Sequence, residues 1–440
     1  MIIKANSLFI PLKDETVNCI ITSPPYWSLR KYDIPDVIFD GVEGCEHKFN
    51  LKNMEIPAGV GGNWQQANNG PGLAIGKNQT RFKGDCREAN KIETVKIQQG
   101  FCSLCGAWKG QLGLEPTPEL YLKHLLEIFD EVKRVLKPTG TCWVNMGDSY
   151  SGGKGSSSGY YREEEDEERE TIQKKQHYLG GKGITRPCDG KIGIPPKSLI
   201  LIPYRFAIAM IDRGWICRNV IIWYKRNCMP SSAKDRFTVD FEPVFFFVKS
   251  KKYWFEQQHE PHFCNEEYKH GTFGRKSLAA GEKIKIELNP QGRNKRCVWD
   301  IPTQPYPESH FATFPEDLVE PMIRAGCPKE ICVKCGKARE KIYKFDYVTP
   351  ATRSSTTISR KKRIDFRPDK IFTKIAKEIG LASCGCNAGF RSGIVLDPFC
   401  GSGTVMRVAE QLNRKVIGLD LGYQSLSVKR VQNVQKELAL

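Results

Sequence analysis

Thr22-Ser23-Pro24-Pro25-Tyr26-Trp27 follows an apolar run at 17–21, and the reading of the whole chain turns on it. The run is short and bounded, which predicts a buried strand. Two prolines end the strand, fix the backbone and remove two N–H donors. The Ser23 hydroxyl, rigid carbonyls and the Tyr26 ring remain at the strand end. That set suits a planar amine: Ser23 and the Pro24 carbonyl each accept one N–H, and Tyr26 stacks on the ring. Alone, the stretch reads more simply as a proline turn capping a strand. A glycine-rich loop at the other end of the chain, Asp397-Pro398-Phe399-Cys400-Gly401-Ser402-Gly403-Thr404, weighs against that simpler reading.

The loop sits between a strand at 394–396 and a helix at 404–412, and the next strand, 416–419, ends in Asp420. An acid there is positioned for ribose hydroxyls, as in dinucleotide folds. The loop lacks G-x-G-x-x-G, which disfavours a nicotinamide, and lacks G-K-[ST], so it is no P-loop. Together the two stretches resemble the amino-group DNA methyltransferases that use S-adenosylmethionine. The T-S-P-P-Y-W form resembles the cytosine-N4 branch, since the adenine-N6 branch more often carries Asp at the position of Ser23. Catalytic stretch first and cofactor loop last is the order of the family's beta group.

The strands read along the chain sum to about seven with helices between, which predicts a doubly wound α/β sheet; the resemblance implies one antiparallel strand, permuted order and an inserted target-recognition segment. It implies catalytic roles for Ser23, Pro24, Pro25 and Tyr26. Trp27, Arg30, Asp235 and Arg236 become substrate candidates. The implied cofactor residues are Asn6, Phe311, Thr313, Phe314, Asp397, Pro398, Phe399, Gly401, Ser402, Gly403, Thr404 and Asp420. Gly401 and Gly403 offer backbone donors and room for the zwitterionic methionine end. The family's first turn usually reads Gly-Asp, whereas here Ala5-Asn6 stands in its place.

The 440 residues carry 67 Lys+Arg against 50 Asp+Glu, a net charge of +17. Such a balance fits a polyanionic partner, of which nucleic acid is the usual one, and the resemblance implies double-stranded DNA. No apolar run approaches the ~18 residues of a membrane span and no secretory leader is read, so a cytoplasmic setting without membrane is expected. The 17 cysteines, an odd number, speak against a closed disulfide framework and make close Cys pairs metal candidates.

In order, residues 1–40 form the N-terminal part of the catalytic domain. Residues 41–113 are a Gly/Asn-rich insertion expected to bury little core. It is bracketed by Cys45-Glu46-His47 and Cys102-Ser103-Leu104-Cys105-Gly106, a zinc knuckle with a C-x-H partner. Cys86 is a spare ligand. Residues 114–150 return to the catalytic domain, with a helix whose Leu122, Leu125, Leu126, Phe129, Val132 and Val135 make one apolar stripe. Gly147-Asp148-Ser149-Tyr150 offers polar groups at the end of the strand that follows.

Residues 151–192 form a charged insertion, 193–253 return to the catalytic domain, and 254–305 hold target recognition. Residues 306–326 flank the cofactor and 327–390 are a second zinc-binding insertion. Its ligands are Cys332, Cys335, Cys384 and Cys386, with Cys327 spare. Residues 391–440 bind the cofactor. The expected activity is transfer of methyl from S-adenosylmethionine to the N4 amine of a flipped cytosine, with a cognate restriction endonuclease as functional partner. The alternatives are adenine N6 and an inactive zinc-containing nucleic-acid-binding protein.

Overall fold

Strand β2, Val17–Thr22, is buried along its whole length, as expected of a parallel strand covered on both faces. The computed structural model describes residues 1–28, 31–57, 94–151, 193–231, 233–261, 267–268, 284–285, 291–304, 314–348, 373–432 and 434. The chain divides into two compact units. The first comprises Met1–Trp254, Cys297–Cys327 and Gly393–Leu440, and the second Phe255–Arg296 and Pro328–Ser392.

The first unit is built on one sheet. Its strands are β1 (Ile2–Lys4), β2, β3 (Leu136–Asn145), β4 (Ile216–Tyr224), β5 (Phe241–Val248), β6 (Val298–Asp300), β7 (Ile394–Asp397) and β8 (Lys415–Asp420). The order across the sheet is β1-β8-β7-β2-β3-β5-β4-β6. Strand β5 runs antiparallel to both neighbours, and every other pairing is parallel. This is the expected doubly wound α/β sheet with one antiparallel strand. It has eight strands rather than about seven, because β6, from the 254–305 segment, adds beside β4.

Alternation along the strands divides the core between two faces. Phe245 and Phe247 of β5 join one buried cluster, while Val244, Phe246 and Val248 join the other. Helices α1 (Pro118–Val135) and α2 (Ile202–Asp212) cover the first face through Leu125, Phe129, Val132, Phe206 and Met210. Helices α3 (Glu316–Gly326) and α4 (Thr404–Gln411) cover the second through Leu318, Met322, Val405 and Val408. Helix α1 starts where Thr117 accepts the Leu120 N–H, with Pro118 at the first helical position. Helix α5, Gln424–Gln432, follows β8.

The segment expected to bury little core behaves otherwise where it is described. Val37–Phe39, Trp108–Gly110, Thr94–Cys102 and Phe49–Pro57 form a four-stranded antiparallel sheet. Within the segment Trp108 is buried and joins the first core cluster, packed beside Phe39 that precedes it. The reason is that the ends of the segment carry strand-forming aromatics, Phe49, Phe101 and Trp108; the Gly/Asn-rich part, 58–93, lies outside the described residues. The second unit contains four two-stranded antiparallel pairs, the longest joining Lys341–Val348 to Thr373–Leu381. Among the described residues no helix is long and apolar enough to cross a membrane.

At the centre of the second face Trp143 of β3 stacks on Phe246 of β5, ring centroids 4.0 Å apart. The Trp143 indole donates to Thr141 Oγ1 at 3.1 Å, and Thr141 donates to the Gly326 carbonyl at 3.0 Å. A Cβ at Gly326 would lie 2.3 Å from Thr141 Oγ1, so only glycine lets the end of α3 come this close. Gly326→Ala is expected to destabilise the fold by ~1–3 kcal/mol, the usual cost of overpacking. Urea unfolding checks it, an unchanged midpoint being the contrary result.

Candidate active site

The carboxyl ends of the parallel strands β2, β3, β7 and β8 lie along one rim, where ligands of such sheets bind. Because β5 is antiparallel, it presents its amino end there. The rim opens into a cleft of about 1220 Å³, lined among others by Ser23, Pro24, Tyr26, Asp148, Glu242, Asp397, Gly401 and Asp420. A site for one small ligand is usually ~300–1,000 Å³, so the cleft has room for a cofactor and a planar second ligand.

The two stretches that organise the sequence meet through β2 and β7. Thr22 Oγ1 donates to Asp397 Oδ1 at 2.7 Å, and the same oxygen accepts the Phe399 N–H at 3.0 Å. Burial pushes the Asp397 carboxyl up to about 7, against these two hydrogen bonds. Asp397 thus acts locally as the clamp of the glycine loop. Ser7 donates to the Pro398 carbonyl, tying the β1–β2 turn to the same loop. Phe399 is half-buried and packs on the first core cluster, and Phe314 is half-buried on the second.

The glycines divide their work differently from the expected pattern. Gly401 donates to Asp420 Oδ2 and Gly403 donates to the Cys400 carbonyl, so neither N–H is open to a ligand. Gly403, at φ +82°, is closed in by α5, since a Cβ there would meet Ser427 at 3.0 Å. Only Gly401 leaves open space: a Cβ would have Phe399 O at 3.9 Å as its nearest neighbour. Arg430 of α5 donates to the hydroxyls of Ser402 and Thr404. Asp420 Oδ1 is taken by the Gly422 and Tyr423 N–H groups. Its Oδ2, with one donor, keeps an acceptor site. Asn6 accepts the Leu8 N–H through Oδ1 in a local turn and lines the cleft.

At the Ser23-Pro24-Pro25-Tyr26 stretch the hydrogen bonds have a direction. Asn145 Nδ2 donates both to Tyr26 Oη at 2.7 Å and to Glu242 Oε2 at 2.7 Å. An ionised carboxylate only accepts, so the phenol gives its single proton to Glu242 Oε2, 2.8 Å away. Tyr26 Oη then accepts from Ser23 Oγ at 3.2 Å. With its own proton turned inward, Ser23 keeps lone pairs for a ligand N–H. Lys225 pairs with the other Glu242 oxygen. Burial, then the Glu242 charge, push the Tyr26 phenol well above its ordinary value, so it stays neutral. The ring lies on Gly147, where a Cβ would come 2.5 Å from Tyr26 Cε2. The Pro25 carbonyl is occupied by the Tyr121 hydroxyl at 2.8 Å.

Trp27 departs from its expected substrate role. It is 3% exposed, its indole donates to the Glu115 carbonyl at 2.9 Å, and it belongs to the core behind the stretch. Glu115 also holds the Gly113 N–H and buried His124, whose other nitrogen meets Asp40. Asp235 forms an exposed ion pair with Lys197. The Arg236 guanidinium lies 3.5 Å from the Tyr150 ring centroid. Arg30, Phe311 and Thr313 lie outside the described residues, as does Cys86.

Asn145, Gly147, Asp148, Ser149 and Glu242 were not among the expected site residues. Asp148, Ser149 and Arg236 line this part of the cleft, and Asp148 Oδ2, Ser149 Oγ and Arg236 Nη1 are buried without a partner among the described residues. The available signal for Asp148 and Ser149 was the polar run closing β3. Glu242 had none, because it reads as one acid ahead of an apolar strand.

Both cysteine quartets come together. In each, four ligand atoms lie within 4.8 Å of one another: Cys45, His47, Cys102 and Cys105 in the first unit, and Cys332, Cys335, Cys384 and Cys386 in the second. The two knuckles repeat one geometry. Gly106 and Gly336 have φ near +78° and +70° and donate to the carbonyls of Cys102 and Cys332. The backbone N–H of Cys335 helps hold Cys332 down to about 6, which favours the thiolate that binds metal. Spare Cys327 is fully buried at the end of α3, in the core.

A family model described as DNA methylase matches residues 17–334 and 380–428. The type II methyltransferase M.SmaI of Serratia marcescens is 30% identical over 325 residues, covering 73% of this chain and 77% of that protein. M.Cfr9I of Citrobacter freundii is 31% identical over 325 residues, covering 73% and 75%. Among solved structures, the PvuII DNA methyltransferase (cytosine-N4-specific) aligns over all of this chain and 87% of its own at 14% identity, TM-score 0.43. On the family match and these relatives, the chain belongs to the amino-group DNA methyltransferases.

Proposed function

We propose that the protein methylates the exocyclic N4 amine of a cytosine flipped out of duplex DNA, in a type II restriction-modification setting with a cognate endonuclease as functional partner. The observation that carries transfer to an exocyclic amine is the inward proton of Ser23, which leaves its oxygen as an acceptor beside the Pro24 carbonyl, which has no partner among the described residues; serine rather than aspartate at position 23 favours cytosine. A cytosine amine carries two N–H groups and a lone pair delocalised into the ring. Accepting both N–H groups favours a pyramidal nitrogen and aims its lone pair. Tyr26 offers the ring face, while Asp148, Ser149 and Arg236 offer polar atoms to the base edge. A base reaches such a cleft only after leaving the stack, at a cost of a few kcal/mol.

The residues on the cofactor side fit S-adenosylmethionine: Gly401 leaves space, Asp420 Oδ2 takes a ribose hydroxyl, and Asn6, Phe314 and Phe399 line the walls. When bound, that group supplies an electrophilic methyl on a sulfonium sulfur. The cysteine quartets fit structural zinc, four ligands each leaving no open position. Transfer to adenine N6 is the second reading, since the Ser23 and Pro24 acceptors suit that amine as well.

Nucleoside analysis of DNA methylated by the protein should find N4-methylcytosine, and N6-methyladenine alone would select the second reading. Ser23→Ala should keep cofactor affinity while slowing single-turnover transfer by ~10²-fold or more, the usual effect of removing one oriented hydrogen bond in a dry site. A wild-type rate would reduce the stretch to a strand cap.

The two loop glycines should separate. Both substitutions strain a positive-φ backbone, but Gly403→Ala should lower thermal stability more, through its added clash with Ser427, while Gly401→Ala should weaken S-adenosylmethionine binding in calorimetry. The opposite pattern would return the cofactor role to Gly403. Elemental analysis after dialysis should find about two zinc ions per chain, one per quartet, and Cys332→Ser should lose one of them. A metal-free, fully active protein is the refuting result.

A further inference from the structure

Methylating an amine leaves one proton too many on nitrogen, and the roles proposed so far do not say where it goes. The nitrogen forms a bond to the methyl carbon, the bonding pair to sulfur stays with the donor, and one N–H bond must break. Ser23 is a weak base, but its hydroxyl is the first member of an oriented chain. Ser23 Oγ donates to Tyr26 Oη at 3.2 Å, and Tyr26 Oη donates to Glu242 Oε2 at 2.8 Å. Every hydrogen in that chain points away from the substrate side. We propose that Glu242 is the final acceptor of the substrate's proton, reached through Ser23 Oγ and Tyr26 Oη. This rests on the reading that the cleft methylates an exocyclic amine, and holds for cytosine and adenine alike.

The step balances by three short transfers. The amine proton passes to Ser23 Oγ, the Ser23 proton to Tyr26 Oη and the Tyr26 proton to Glu242 Oε2. Serine and tyrosine end neutral and the carboxylate becomes a carboxylic acid. The groups facing Glu242 suit that role. Lys225 from the end of β4 pairs with Oε1, and Asn145 from β3 donates to Oε2 and to the phenol, fixing the phenol's lone pairs and the direction of its proton. A neutral phenol, held so by burial and the adjacent carboxylate, passes a proton without storing charge. The Glu242 side chain is 18% exposed, enough to return the proton to water. The geometry needs β5 to be antiparallel, since only then does residue 242 stand at the rim where residue 23 ends β2.

The test compares wild type, Glu242→Gln and Tyr26→Phe. Single-turnover transfer of labelled methyl is followed, with protein in excess, to genomic DNA amplified in vitro and so free of modified bases. Calorimetric binding of S-adenosylmethionine to the free variants should match wild type. Both variants should transfer about 10²-fold more slowly, the lower range for losing proton-transfer assistance. Their rates should climb with pH as hydroxide takes over from the carboxylate. The double variant should be no slower than Glu242→Gln alone, because one chain is broken once. In the free protein, NMR of isotope-labelled tyrosine should find the Tyr26 phenol easier to ionise in Glu242→Gln.

Three results overturn the relay. One is a wild-type rate in either variant. Another is a loss independent of pH, which marks a structural role, and the third is losses that multiply in the double variant. If wild-type protein transfers no methyl, the reading of the function falls instead, and the relay falls with it.

Discussion

The hydrogen bond from Thr22 to Asp397, 2.7 Å long between residues 375 apart in sequence, is the constraint on which the rest of the site depends. It joins the end of β2 to the end of β7, and so sets the Ser23-Pro24-Pro25-Tyr26 stretch beside the glycine loop. The bond is buried, and desolvation is the largest influence on the Asp397 carboxyl. A buried carboxyl left without its partners would cost more than the bond contributes. Thr22 and the Phe399 N–H therefore act together: they satisfy Asp397, and in doing so lock the loop to the strand. Ser7 adds a third tie from the β1–β2 turn to the Pro398 carbonyl.

Around that junction the protein spends its backbone donors on itself. The N–H groups of Gly401, Gly422 and Tyr423 all bond the Asp420 carboxylate. Gly403 and Ser427 hold the loop against α5. At Gly401 what is left toward the cleft is space, and at Asp420 one carboxylate oxygen with a single donor. The other end of the cleft follows the same economy. Tyr26 is held on one face by Gly147 and at its hydroxyl by Asn145 and Glu242, so its ring is positioned before any ligand arrives. Pre-organisation of this kind means little ordering remains to be done when a ligand enters.

The two cysteine quartets show the same logic at smaller scale. Each pairs a C-x-x-C knuckle with a C-x-H or C-x-C pair remote in sequence, and each knuckle turns on a glycine at positive φ.

Much of this was legible in the sequence, and it was of one kind. The buried run at 17–21, the apolar stripe of α1, the glycine loop and the members of both cysteine quartets are written in windows of a few residues. Periodicity and turn chemistry act over such windows. What tertiary structure alone decided was which local pieces meet. Trp27 looks available beside Tyr26 but is buried, because the chain turns inward after the prolines. Gly403 looks like a cofactor glycine but is closed off by α5. Glu242, 216 residues from Tyr26, reaches the site only because β5 lies beside β3 and runs against it. Strand order and strand direction are set by packing of the whole sheet, and no local stretch of residues carries that information.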